Sequence, residues 1–473
     1  MRRSELVVPR FHNPEKFAIP EGENVKTLSL EYKELMKTLL LTLFCNLLTL
    51  SAFATLSLPT KNDYESGHFL CEQKYADILK FEKGFYVTVP VDYGNPQKGT
   101  TDIYAHFAGD YDPARETLFY FTGGPGLTSH WGLFDEDMGF NVLVMEQRGI
   151  ACSRPETHSQ FLDVSFYSSE FVARDAEKIR AFLKIPKMTV YGVSYGTVPA
   201  TIYASLFPQT TTALILEGTV NDGDGSLWAG PHRRKLLQKM IDTLPANIKD
   251  RMEKVHTQYG YPDTWLSTIG RNVLMDNDGL KTLKNNLLKI SDDKEYQDLL
   301  ENVKNTFAPI TYTPHILFTS NDVPYFMISC QELGLSNPDV TSFDALTNGK
   351  LVPKVDQESI DTCIQLKTKN THPYASKNFP VKVPVTYFQG SDDSATTAPG
   401  AFAHYKAVPQ GPKQLLVLVR GGHNPNLLNL RRDEDGQKEM FLHAFKGQSI
   451  PKDLLDRVQK SQELRWTYTS KNF

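Results

Sequence analysis

Met188-Thr189-Val190-Tyr191-Gly192-Val193-Ser194-Tyr195-Gly196-Thr197-Val198-Pro199-Ala200-Thr201-Ile202-Tyr203-Ala204-Ser205-Leu206-Phe207 is the stretch whose reading decides the fold. Met188 to Val193 is an apolar, β-prone run and predicts a buried strand. Tyr195 to Phe207 predicts a helix, stopped at Pro208. Between them the chain must turn sharply, and Gly192-Val193-Ser194-Tyr195-Gly196 has the Gly-x-Ser-x-Gly form. In such a strand-to-helix corner the serine takes a strained backbone, and only small residues fit on either side of it. Five residues of this form are a weak signal alone; the strand before and the helix after make it specific. Ser194 is therefore the candidate nucleophile, with the Tyr195 amide and the following helix N-terminus beside the reacting carbonyl.

Outward from this corner the chain alternates β-type and helical runs. Strands are predicted at Phe85–Pro90, Asp102–Phe107, Thr117–Thr122, Val142–Glu146, Met188–Val193, Ala213–Glu217, Val383–Gln389 and Leu415–Val419. Leu118-Phe119-Tyr120-Phe121 and Val142-Leu143-Val144-Met145 are continuous apolar runs, as strands covered on both faces require. Helices are predicted at Ser168–Leu183 and, between Trp228 and Phe379, at Arg233–Leu244, Leu280–Ile290 and Asp293–Phe307. The alternation predicts a doubly wound, mostly parallel sheet. With the serine corner it predicts the α/β-hydrolase fold. Core-type strands resume at Val383, so 228–379 reads as a mainly helical cap inserted between core segments 55–227 and 380–473.

A serine hydroxyl near neutral pH needs a base, and the base needs an orienting acid. In this fold the acid comes next in the chain and the histidine last. His423 follows the Leu415–Val419 strand and Gly421-Gly422, which gives a tight loop at a strand end. His404 and His443 lie in helix-like runs and read as packing or surface residues. The preceding strand leads into Gly390-Ser391-Asp392-Asp393. Either aspartate can serve; the strand–Gly-x-x-Asp spacing favours Asp393, with Asp392 stabilising the turn. Upstream, Phe121-Thr122-Gly123-Gly124-Pro125-Gly126 gives a backbone that can pass close to a substrate, making the Gly124 and Tyr195 amides the candidate oxyanion donors. No Lys-Ser/Thr follows it, which argues against a phosphate loop.

The 473 residues are 40% hydrophobic and 22% charged, with a formal charge of −4. No basic stripe points to nucleic acid. No Cys-x-x-Cys or His-Glu-x-x-His suggests a metal, and the serine chemistry requires no cofactor. Lys37, the apolar run Leu39–Leu50 and Ser51-Ala52-Phe53-Ala54 form the three parts of a secretory signal peptide. This is preferred over an uncleaved anchor or a buried helix, because the run is short for a span and holds Thr42, Asn46 and Thr49. The polar residues 1–35 precede Met36, which predicts that translation starts at Met36. Residues 1–54 are then an extension plus signal peptide, and the mature protein is exported, periplasmic or extracellular, without stable membrane insertion. Phe44 is too bulky for a lipoprotein site at Cys45. Removal of 1–54 leaves Cys71, Cys152, Cys330 and Cys363. In an exported chain these can pair, Cys330 with Cys363 first because both lie in the inserted segment, or stay as buried thiols.

Several motifs resemble a known family. Thr122-Gly123-Gly124-Pro125-Gly126 is similar to the His-Gly-Gly-Pro-Gly signature of prolyl aminopeptidases and the related tripeptidyl aminopeptidases. Glu146-Gln147-Arg148-Gly149 followed by Ser153 resembles their Asp-Gln-Arg-Gly-x-Gly-x-Ser. Val89-Pro90-Val91-Asp92-Tyr93-Gly94-Asn95-Pro96 is similar to a segment of the larger, secreted tripeptidyl aminopeptidase-like branch. The likeness covers about 83–225 and 380–450; the cap matches loosely. Thr122 replaces the signature His and Ala151 a Gly, which touches loop geometry but not the nucleophile, base or acid. The resemblance implies a serine exopeptidase acting on peptides with free N-termini. It would need carboxylates to hold a substrate ammonium. Glu217, after a strand at the cap edge, and Glu332, in Ser329-Cys330-Gln331-Glu332, are the implied anchors. Arg148 is expected to pair with a core carboxylate and brace the oxyanion loop. An esterase or lipase with the same triad, and a non-catalytic binding protein on the same fold, are the alternatives. Residue preference, the number of residues released and the oligomeric state are left open.

Overall fold

Strands whose every residue is apolar or paired can only sit inside a sheet covered on both faces, and there are five of them among the described residues. The computed structural model describes residues 84–127, 138–155, 157–223, 231–259, 277–306, 322–336, 362–364, 366–426, 436–462 and 465–471. Residues 1–54, read above as an extension plus signal peptide, lie outside them. The strands are β1 (Gly84–Pro90), β2 (Thr100–Phe107), β3 (Thr117–Phe121), β4 (Asn141–Met145), β5 (Met188–Val193), β6 (Thr211–Glu217), β7 (Val385–Gly390), β8 (Lys413–Leu418) and β9 (Trp466–Lys471). β3, β4, β5, β7 and β8 are buried throughout. The sheet order is β1-β2-β4-β3-β5-β6-β7-β8-β9. From β4 to β8 all pairs are parallel. β1 with β2, β2 with β4, and β8 with β9 are antiparallel.

The longer α-helices among the described residues are α1 (Ser169–Phe182), α2 (Thr197–Leu206), α3 (Pro231–Asp242), α4 (Ala246–Tyr259), α5 (Gly279–Lys289), α6 (Asp293–Thr306), α7 (Asp322–Gln331), α8 (Ala398–Ala407), α9 (Gln437–Phe445) and α10 (Lys452–Gln462). Side chains of a strand alternate between faces. Phe119 and Phe121 therefore pack with Val172 and Ile179 of α1 and Val198 and Ile202 of α2. Leu118 and Tyr120 pack on the other face with Phe441 of α9 and Val458 of α10. Between β6 and β7 the described residues hold helices α3 to α7 and no strand. Helices α3 to α6 bury a cluster of their own, including Leu237, Met252, Leu287 and Leu300. Helix α7 instead contributes Val323, Met327 and Ile328 to the main core. Its end is fixed by a Cys330–Cys363 disulfide.

One ion pair lies inside the core. Arg148 Nε donates to Asp175 Oδ2 at 2.6 Å and its Nη2 to Oδ1 at 2.8 Å. The guanidinium also donates to the carbonyls of Val91 and Pro90, at 2.6 and 2.7 Å, and faces the rings of Phe171, Phe166 and Tyr93. The Tyr93 hydroxyl donates to Asp175 at 2.9 Å. Arg148 thus ties the end of β1 to α1 and does not brace the oxyanion loop as expected. Both partners are about 1% exposed, so removing one leaves a buried charge uncompensated. Asp175→Asn is expected to lower stability by about 3–5 kcal/mol. A urea titration measures this; a loss below about 1 kcal/mol would show the pair to be dispensable.

Candidate active site

In a parallel sheet the loops at the carboxyl ends of neighbouring strands converge, and ligands bind there. Ser194 closes β5 with φ +56°, a left-handed backbone rare for a residue with a side chain. The corner is tight on both sides. A methyl on Gly192 would lie 2.4 Å from the Gly196 carbonyl oxygen, and one on Gly196 would lie 2.1 Å from that of Phe121. No residue but glycine fits at either position. Thr197, the first residue of α2, donates its hydroxyl to the Ser194 carbonyl at 2.6 Å and accepts from the Val220 amide at 3.0 Å. The serine corner is thereby pinned to the loop after β6.

The loop after β3 comes against the serine from the other side. A methyl on Gly123 would lie 3.0 Å from Ser194 Cβ and 3.5 Å from its Oγ. Gly124 has φ +111°, and a methyl there would press on the Gly126 amide nitrogen at 2.7 Å. The buried Gln147 donates to the Thr122 carbonyl at 3.1 Å. Gln147, not its neighbour Arg148, holds this loop. Its sequence signal is its place in the Glu-Gln-Arg-Gly run, which alone assigned it no role.

Asp393, after β7, and His423, after β8, are in contact. His423 Nδ1 donates to Asp393 Oδ2 at 2.9 Å, with Oδ1 at 3.0 Å. The Ala395 and Thr396 amides donate to Oδ1, at 2.8 and 2.9 Å. The Thr396 hydroxyl and the Gln389 amide donate to Oδ2, at 2.8 and 3.0 Å. Four donors besides the imidazole thus fix the orientation of a carboxylate with no exposed surface. Asp392 is turned away: it accepts from the Ser391 hydroxyl at 2.8 Å. A chain of bonds joins this pair to the serine corner. Gln389, which donates to Asp393, accepts from the Thr219 amide at 3.1 Å, and the next amide, of Val220, bonds Thr197. A methyl on Gly218 would lie 2.9 Å from His423 Cε1, so the imidazole sits over the end of β6, between the ends of β5 and β7.

A sequence model of the α/β hydrolase fold matches residues 116–257. The chain has the α/β-hydrolase fold. It is similar to a probable proline iminopeptidase of Streptomyces coelicolor, 26% identical over 172 residues, or 34% of this chain and 53% of that protein. It is 30% identical to the proline iminopeptidase of Neisseria meningitidis over 110 residues, 23% of this chain and 34% of that one. The match thus spans about half or less of these relatives' own length. Among solved structures, the proline iminopeptidase of Mycobacterium smegmatis aligns over 76% of this chain and 99% of its own, at 13% identity and a TM-score of 0.41.

Within this fold the two expected amine anchors both hold hydrogen bonds inside the protein. Glu217, the last residue of β6, is fully buried. It accepts from the Tyr191 hydroxyl through Oε2, and from the Asn426 amide through Oε1 at 2.8 Å. These bonds brace the loop that carries His423, a contact its expected role as an amine anchor did not include. Glu332 follows α7 and meets the N-terminus of α1, where the Ser169 amide donates to both its oxygens at 3.1 Å and the Ser169 hydroxyl to Oε2. An N-terminal amide and a hydroxyl thus already donate to the carboxylate expected to hold an ammonium. Burial pushes the Glu332 carboxyl up to about 7, against the pull of Ser169 and Ser168. His404, read as a packing residue, is buried against the Tyr387 hydroxyl at 2.8 Å, and burial lowers its imidazole to about 3.

Proposed function

We propose that the protein is an exported serine hydrolase that releases residues from the free N-termini of peptides. The observation that carries the hydrolase half is the meeting of four strand-end loops: Gly123 against Ser194, and His423 bonded to a fully buried Asp393. In this reading His423 removes the Ser194 proton as Oγ attacks the substrate carbonyl. Asp393 holds the imidazole by its Nδ1–H and stabilises the imidazolium. The Gly124 and Tyr195 amides and the N-terminus of α2 receive the developing oxyanion. His423 then protonates the leaving amine, and water repeats the sequence to free the acyl group. Support for the peptide half is the likeness to proline iminopeptidases and the family-like motifs at 89–96, 122–126 and 146–149. Support for export is the pattern from Lys37 to Ala54.

An esterase using the same residues is the second reading. It is favoured by the engagement of Glu217 and Glu332 within the protein. Rates on aminoacyl and prolyl p-nitroanilides with free and N-acetylated termini separate the two. A site built around the ammonium rejects the acetylated substrate by at least about 10²-fold, because its acceptors are then left unpaired. Equal rates, or turnover of simple esters alone, would establish the esterase.

A further inference from the structure

Glu332 has no part in the cycle above, yet it is joined to the residue that supplies one oxyanion donor. Its Oε2 accepts from the Ser169 hydroxyl, and that oxygen lies 2.9 Å from the Tyr195 hydroxyl. All three side chains are buried. Tyr195 follows Ser194 directly, so whatever fixes its ring also fixes the peptide whose amide faces the oxyanion.

The direction of this chain depends on a proton. An ionised carboxylate can only accept. Ser169 then donates to Glu332, Tyr195 donates to Ser169, and each buried group is satisfied. Once Glu332 is protonated it can donate to Ser169. The serine proton then turns toward the tyrosine oxygen, and the Tyr195 O–H loses this acceptor in a place closed to water.

We propose that Glu332 is a positioning residue of the oxyanion hole, acting through Ser169 on Tyr195. The proposal rests on the serine-hydrolase reading. Glu332 is carried by the end of α7, so seating of this inserted segment on the core is coupled to the catalytic corner.

The titratable neighbours are few among the described residues. Glu170 of α1 pushes the Glu332 carboxyl in the same direction as burial. Tyr195 itself is driven far up by burial and by Glu332. The segments at 221–223 and 372–374 meet Glu332 through its backbone, the Tyr374 amide donating to its carbonyl at 2.8 Å. Their side chains Asp222 and His372 are engaged by Ser376 and Thr371. The active, ionised form is present above about 7 and is lost as pH falls through that value. Stability runs the opposite way. The carboxyl is raised from 4.5, so the native state binds the proton more tightly and its stability falls as pH rises across that window.

The test is the pH dependence of kcat and KM for wild type, Glu332→Gln and Tyr195→Phe, on a free-amine p-nitroanilide and an N-acetylated ester. Gln mimics the protonated acid. E332Q is expected to lose about tenfold in kcat at unchanged KM on both substrates, as for a weakened oxyanion interaction. The acid limb of its kcat profile should also depend on one proton fewer than that of wild type. Y195F should show the same loss and the same shallower acid limb, and the double variant no further loss. Wild-type kcat and profile in both variants would overturn the proposal. A rise in KM confined to free-amine substrates, with kcat retained, would also overturn it and make Glu332 an amine anchor. Tyr195→Phe keeps the test alive if E332Q does not fold. Failure of the underlying hydrolase reading shows separately, as folded wild-type protein that a fluorophosphonate does not label.

Discussion

Replacing Ser194 by Ala is expected to lower kcat/KM by about 10⁴-fold or more and to leave the fold unchanged. The substitution removes one hydroxyl. The bond that pins the corner is made by the Ser194 carbonyl to Thr197, at 2.6 Å, and survives. Alanine tolerates the left-handed φ of +56° no better and no worse than serine. The variant therefore separates chemistry from folding. Residual turnover comes only from the oxyanion donors and binding. Unfolding by heat at the wild-type temperature, together with lost hydrolysis of an activated substrate, is the signature; retained hydrolysis assigns the nucleophile elsewhere.

Asp393→Asn has the second largest expected effect, about 10⁴-fold in kcat. An amide of the same shape keeps the loop but can present its NH₂ to His423 Nδ1. That stabilises the wrong imidazole tautomer and removes the charge that balances the imidazolium. The surrounding donors make the outcome sharper. Asp393 accepts from two amides, a threonine hydroxyl and Gln389, a shell built for two acceptor oxygens. Asp392→Asn, by contrast, alters a turn bonded to Ser391 and is expected to stay within about threefold of wild type. Matching losses in both variants would refute the assignment of the acid to Asp393.

Much of this architecture is legible in the sequence because it is written in local patterns. Continuous apolar runs mark β3, β4 and β5, and the glycine-flanked serine marks the corner after β5. The contact of Asp393 with His423 follows from chain order and the Gly-x-x-Asp spacing, since each strand end in a parallel sheet presents its loop on the same edge. What escapes is non-local or weakly patterned. β9 carries mostly exposed polar residues and is held by pairing with β8, Trp466 opposite Leu418. Its sequence, Trp466-Thr467-Tyr468-Thr469-Ser470-Lys471, gives little apolar signal. Glu217 reads as a free acid after a strand because its partner Asn426 is 209 residues away. Glu332 gives no sign of its bond to Ser169 for the same reason, that residue lying 163 residues upstream. Carboxylates in a cleft and carboxylates at a helix N-terminus look alike until the fold brings their donors together.

The most direct measurement is to treat folded wild-type protein with a fluorophosphonate and locate the adduct by peptide mass mapping. The account predicts a single adduct, on Ser194, that is absent from Ser194→Ala. Unlabelled folded protein, or an adduct on another residue, contradicts it.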